Sequence, residues 1–156
     1  LTLKSNHETD SAEATEALGR DLATELKGKN LLLRGDLGAG KTTFLRGLAA
    51  GLGVQNKVKS PTFVYEKVYK TSEGEIFAHF DLYRLDFVDA EMAARLQELF
   101  QNPAATVAVE WGERLHAEIL PEQRIELNFT ESKNGAREIS LNFLDPRVSG
   151  DDGLSS

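Results

Sequence analysis

An α/β fold built on a mixed parallel and antiparallel sheet is predicted by three features of the sequence. Short apolar runs, Leu31-Leu32-Leu33 and Thr106-Val107-Ala108-Val109, sit between polar flanks, as strands buried on both faces do. Segments with helical spacing of apolar residues are interleaved with those runs, the order expected of a sheet covered by helices. Residues 124–129 and 138–143 alternate polar with apolar around Asn134-Gly135, which predicts an antiparallel hairpin with one wet face.

From the N-terminus, Ala14, Leu18, Leu22 and Leu26 recur at every fourth position, which predicts one helix over residues 11–27. Asp10 with Glu13 resembles a capping pair at its start, and Gly28 suits its end. The Leu31-Leu32-Leu33 strand follows. Leu45, Leu48, Ala49 and Leu52 then give a second amphipathic helix, which Gly53 can terminate. Residues 63–69 and 76–80, separated by Thr71-Ser72-Glu73-Gly74, read as two strands joined by a turn, most simply an antiparallel pair. Met92, Leu96, Leu99 and Phe100 mark a helix over residues 89–100 that Asn102-Pro103 stops. The stripe through Met92 and Leu96 is read as core rather than as a docking face. From Asp145 onward Pro, Gly, Ser and Asp dominate, so one domain over residues 1–144 with a loose tail over 145–156 is expected.

The totals narrow the function. At 156 residues one core is the expectation, and the 40% hydrophobic and 28% charged composition is that of an ordinary globular chain. No apolar run approaches the about 18 residues of a spanning helix. Leu1-Thr2-Leu3-Lys4 turns polar without the apolar core of a signal peptide, so a cytoplasmic location is expected. The chain has no cysteine, which excludes disulfides and thiolate chemistry and leaves oxygen ligands or its 3 histidines for any metal. A net charge of -7 works against direct tight binding of nucleic acid, so any RNA contact is expected to run through a partner.

Residues Gly35-Asp36-Leu37-Gly38-Ala39-Gly40-Lys41-Thr42 fit G-x-x-x-x-G-K-[ST], between the first buried strand and the second helix. A loop of this kind curls with its amides inward, and a Cβ at the glycines would obstruct close approach to phosphate. The amides, the helix N-terminus and the Lys41 ammonium together offset the charge of a β/γ-phosphate pair, and the Thr42 hydroxyl can ligate Mg²⁺. The fold class is therefore a P-loop NTPase-like three-layer α/β domain. Guanine recognition would call for Asn/Thr-Lys-x-Asp, but the nearest string, Asn56-Lys57-Val58-Lys59, ends in lysine, which leaves ATP by elimination.

A nucleotide-bound Mg²⁺ needs a further carboxylate at a buried strand end. Asp81 and Glu110 each end an apolar strand, where α/β sheets open toward ligands. Glu110 is assigned to the metal or its water with Asp81 beside it, and which of them ligates directly stays open. Thr62, in Ser60-Pro61-Thr62-Phe63, lies 20 residues beyond Thr42, where switch-like segments reach the γ-phosphate and metal; a proline turn entering a strand explains the string equally well. Trp111 reads as core, His79 and Tyr83 as structural, and Arg84 as either a cis arginine or a salt-bridge partner.

Taken in order, the glycine loop with Thr43, Ser60-Pro61-Thr62-Phe63, His79-Phe80-Asp81-Leu82-Tyr83-Arg84-Leu85 and Val109-Glu110-Trp111 resemble the bacterial TsaE family, the ATPase component of tRNA threonylcarbamoyladenosine (t6A) biosynthesis. The resemblance spans roughly residues 10–143. It implies ATP and Mg²⁺ as cofactors, weak intrinsic ATPase activity, TsaD and TsaB as partners, and a role in modifying the adenosine next to the anticodon of certain tRNAs. It places the nucleotide loop on Gly38, Ala39, Gly40, Lys41, Thr42 and Thr43, metal ligands on Thr42 and Glu110, and a second essential acid on Asp81. Trp111 matches a tryptophan the family keeps beside its active site. The nucleobase would lie near residues 9–11, including Ser11, and near Ala136-Arg137. Two rivals remain: a P-loop kinase of a small molecule, for which no arginine-rich lid is visible between Met92 and Arg124, and a non-catalytic module that ATP merely orders.

Overall fold

The computed structural model describes residues 3–36, 38–55, 65–83 and 85–146. Seven strands form one sheet in the order β1-β7-β6-β2-β5-β4-β3. The strands are β1 (Leu3–Thr9), β2 (Asn30–Arg34), β3 (Glu66–Lys70), β4 (Ile76–Asp81), β5 (Ala105–Glu110), β6 (Arg124–Glu131) and β7 (Arg137–Leu144). The four inner strands β6, β2, β5 and β4 run parallel, while β3 at one edge and β7 and β1 at the other are antiparallel to their neighbours. The mixed sheet expected from the sequence is thus present, and no helix among the described residues is long and apolar enough to cross a membrane.

Strand alternation divides the core between two faces. Leu31 and Leu33 of β2 pack with Phe44, Leu45 and Leu48 of helix α3 (Lys41–Gly51) and with Ile125, Leu127 and Phe129 of β6. Leu32, between them in sequence, joins the opposite cluster with Val107, Val109 and Phe80, covered by Leu96 and Leu99 of helix α4 (Ala90–Phe100). A helix layer, the sheet and a second helix layer make the three-layer arrangement. As expected, α4 keeps its Leu96 stripe inward, and Asp89 caps it by accepting from the Met92 amide at 2.8 Å.

The first helical segment departs from the expectation in two ways. Its cap is Ser11, whose side chain accepts from the Ala14 amide at 3.0 Å, and not Asp10 with Glu13. It is also two pieces, α1 (Ala12–Asp21) and α2 (Ala23–Leu26), which meet at Leu22. A stripe repeating every fourth residue drifts by about 40° per repeat around a helix of 3.6 residues per turn. A straight helix would carry Leu26 off the core, and the break at Leu22 returns Ala23 and Leu26 to full burial. Strand β1 was not expected from sequence; it pairs with β7 from Leu3 opposite Phe143 to Thr9 opposite Arg137. Val64 and Phe63, assigned to the strand before the turn, lie outside the described residues, as does the tail from Arg147.

Helices α1 and α3 cross backbone to backbone. A Cβ added at Gly47 of α3 would lie 1.8 Å from the Glu16 carbonyl oxygen of α1, and one at Gly19 of α1 would lie 2.2 Å from that of Phe44. Neither obstacle is a side chain that can swing aside, so glycine is required for this approach. The crossing fixes the start of α1, at Ser11, against the start of α3, at Lys41. Alanine at Gly47 gains about 1 kcal/mol of helix propensity, but the overlap forces the helices apart. Gly47→Ala is therefore expected to lower stability by about 2 kcal/mol net, read as a fall in the urea midpoint; an unchanged midpoint would show that the crossing relaxes freely.

Candidate functional site

The glycine loop leaves β2 and enters α3 through Gly40, which adopts φ 101°, a left-handed conformation that a side chain disfavours. Lys41 follows as the first residue of α3 and is almost fully buried. Its Nζ donates to the Gly35 carbonyl at 2.5 Å, across the mouth of the loop, and lies 4.5 Å from the centroid of the Trp111 ring. Trp111 leaves β5 with φ 63°, the only non-glycine residue at positive φ among those described. A bulky residue there is strained, and the strain buys a cation–π contact to the loop lysine while Tyr83 stacks at a tilt, 4.9 Å away. Trp111 therefore belongs to the site as well as to the core, where it packs on the edge of the α4-side cluster.

The two acids arrive by register. Asp81 at the end of β4 stands opposite Glu110 at the end of β5, and Glu110 stands opposite Leu33, the residue before the last in β2. Alternation along β4 and β5 puts His79, Asp81 and Glu110 on the α3 side of the sheet, the side to which Phe77 and Ala108 point. Glu110 is 4% exposed. Its Oε2 accepts from Nε2 of the fully buried His79 at 2.6 Å, a contact the sequence did not announce. Asp81 is half-buried and its Oδ1 accepts from the Tyr83 amide at 3.0 Å. Burial, and then the neighbouring Glu110 carboxylate, push the Asp81 carboxyl above its ordinary value; the Tyr83 amide, His79 and Lys41 oppose the shift.

A cavity of about 300 Å³ joins these parts. Gly38, Gly40, Lys41, Thr42 and Thr43 form its floor, Asp81 and Glu110 one wall, Asp10, Ser11, Ala12 and Thr15 a second, and Gly135 with Arg137 a third. Ala39 is buried behind the floor and does not line it. Ser11 and Arg137, far apart in sequence, meet here because β1 pairs with β7 up to Thr9 and Arg137. The Ser11 hydroxyl is engaged as the α1 cap, and Arg137 also reaches Glu131 at 3.3 Å. Asp10 falls within the 9–11 span that the family resemblance placed near the nucleobase, and Ala12, Thr15 and Gly135 are additions that sequence reasoning did not single out as site residues. Thr62 and Arg84 lie outside the described residues. A larger depression of about 1020 Å³ lies at the opposite end of the sheet, around Lys29, Phe100 and Arg124, away from the strand ends where α/β sheets bind ligands.

A family model described as "Threonylcarbamoyl adenosine biosynthesis protein TsaE" matches residues 9–139. The chain belongs to the TsaE family. That family works in t6A biosynthesis on tRNA. Among curated relatives, the tRNA threonylcarbamoyladenosine biosynthesis protein TsaE of Bacillus subtilis is 36% identical over 140 residues, 89% of this chain and 85% of that protein. The TsaE of Synechocystis is 41% identical over 106 residues, 65% of this chain and 66% of that protein. A crystal structure of YdiB from Bacillus subtilis superposes with a TM-score of 0.73 at 31% identity, covering 94% of this chain and 90% of that one.

The donors of this TsaE-family site suit a hard divalent cation. Thr42, Asp81 and Glu110 offer oxygen alone, and two adjacent acids, one with a raised pKa, form a place where positive charge is stabilising. No group of three or more His, Cys, Asp or Glu able to hold a metal occurs among the described residues. Mg²⁺ is commonly held by one or two carboxylates together with phosphate oxygens and water, which is what this donor set can complete. The raised Asp81 pKa also has a thermodynamic consequence. The folded chain holds that proton more firmly than the unfolded chain, so the contribution is present below the unfolded pKa and lost as pH rises through the folded one. Without divalent cations, Asp81→Asn should therefore melt higher than the parent at pH 7, and the gap should close as pH falls below the ordinary carboxylate range. A gap of constant size in thermal melts across that range would refute the assignment.

Proposed function

We propose that this chain is a Mg²⁺-dependent ATPase of t6A biosynthesis, hydrolysing ATP to drive or reset a partner complex of the TsaD–TsaB kind. One observation carries the reading: the loop lysine, the paired strand-end acids, Ser11 and Arg137 face a single cavity. Cationic and anionic groups lining one cavity call for a ligand bearing both signs, and a metal-complexed polyphosphate is such a ligand.

The loop amides and the α3 N-terminus receive the phosphates, and Lys41 exchanges the Gly35 carbonyl for a phosphate oxygen. Both partners are hydrogen-bond acceptors, so the lysine changes hands without being left unpaired in a buried site. Thr42 with Glu110 or Asp81 would hold Mg²⁺, which supplies charge neutralisation across the β- and γ-phosphates. The remaining acid orients the attacking water for in-line displacement. Ser11 and Arg137 border the side where the nucleobase and ribose would lie. The acidic chain would leave tRNA to its partners, and its place with them would be the cytoplasm.

Lys41→Ala is expected to weaken Mg·ATP binding by about 100-fold or more, and Glu110→Ala to lower turnover by about 1,000-fold while Mg·ATP affinity falls by the smaller factor of about 10- to 100-fold. Calorimetric titration alongside phosphate-release kinetics checks both, and wild-type turnover in Glu110→Ala would remove its role. In a reconstituted modification reaction, t6A quantified by mass spectrometry should require both this chain and hydrolysable ATP. Multiple turnovers supported by a non-hydrolysable analogue would leave only a nucleotide-gated binding role.

A further inference from the structure

β4 carries a residue that packing alone does not explain. His79 is fully buried in the otherwise apolar run Phe77–Phe80, on the same face as Phe77, a position where an apolar side chain would cost nothing to desolvate. Its Nε2 is spent on Glu110 Oε2 at 2.6 Å, and its Nδ1 is buried without a hydrogen-bond partner among the described residues. A histidine kept for the stability of the strand would be expected to satisfy both nitrogens. This one leaves one nitrogen bare and directs the other at the acid that faces the cavity.

The pairing is diagonal across the sheet: His79 stands opposite Ala108, and Glu110 is two residues further along β5. Ala108 presents a methyl group and nothing more, which leaves the imidazole room to lean toward the strand end. A carboxylate only accepts, so the shared hydrogen sits on Nε2. With one oxygen of Glu110 tied in this way, rotation of the carboxylate is restricted and the other oxygen is left for a ligand.

We propose that His79 is a positioning residue for Glu110, fixing the carboxylate in the orientation that makes nucleotide binding respond to Mg²⁺. The proposal rests on the reading of Glu110 as a residue that serves the cation. Outer partners of this type commonly change metal affinity or activity by about 10- to 100-fold when removed.

The test compares His79→Gln, whose amide nitrogen can take the place of Nε2, with His79→Asn, whose shorter side chain cannot. ADP is titrated calorimetrically with MgCl₂ and again with EDTA. His79→Asn should bind ADP like wild type in EDTA but lose about 10- to 100-fold of the Mg²⁺-dependent gain, and His79→Gln should recover most of it. Equal losses in both variants, or a full gain in His79→Asn, would overturn the positioning role. No Mg²⁺-dependent gain in wild type, or an undiminished gain in Glu110→Gln, would instead overturn the reading of Glu110 and the proposal with it. Ring ¹⁵N resonances of the wild-type protein need no variant to fold: the His79 signal should move with Mg·ADP and stay put with ADP in EDTA, and the same movement under both conditions would refute the coupling.

Discussion

The parallel pairing of β4, β5 and β2 is the constraint on which the site depends. Leu33, Glu110 and Asp81 stand abreast across three strands, so the loop that follows β2 opens beside both acids. A slip of one residue in β5 would turn Glu110 to the α4 side and set Val109 in its place, because side chains in a strand alternate between faces. Burial enforces the register: every residue of β5 is buried, and its two faces meet two different apolar clusters. The arrangement of the site is in this sense a by-product of packing, with the polar residues appended where the apolar strands run out.

The price of that placement is electrostatic. Lys41 and Glu110 are both nearly buried, and Asp81 is half-buried next to a like charge. The protein manages the lysine with the Gly35 carbonyl and the Trp111 ring, and Glu110 with His79. These are local substitutes for solvent.

Much of this was legible in the sequence, and what was not has physical reasons. The loop, β2, β5, α4 and the final hairpin announce themselves through local signals: glycine spacing, apolar runs, a helical stripe stopped by Asn102-Pro103 and an Asn-Gly turn. β1 has no such signal. Ser5, Asn6, His7 and Glu8 offer no apolar alternation, and the strand exists because β7 presents an edge to pair with. The break at Leu22 comes from a mismatch between stripe and helix period that shows only when the core is in place. His79 was read as structural because its partner is 31 residues away, and only the register between β4 and β5 brings them together. Likewise, the meeting of Ser11 with Arg137 depends on β1, so it came from the family likeness and not from the residues themselves.

The glycine crossing of α1 and α3 sets how the cavity can breathe. Where backbone rests on backbone there is no rotamer to turn, so the two helix-borne walls, one starting at Ser11 and the other at Lys41, form a single stiff block. Opening by a hinge between them would cost the whole contact at once. The opposite rim is carried by no helix: there Arg137 enters the cavity from a strand held between Thr9 on one side and Glu131 on the other, so that wall answers to the sheet and not to the helix crossing.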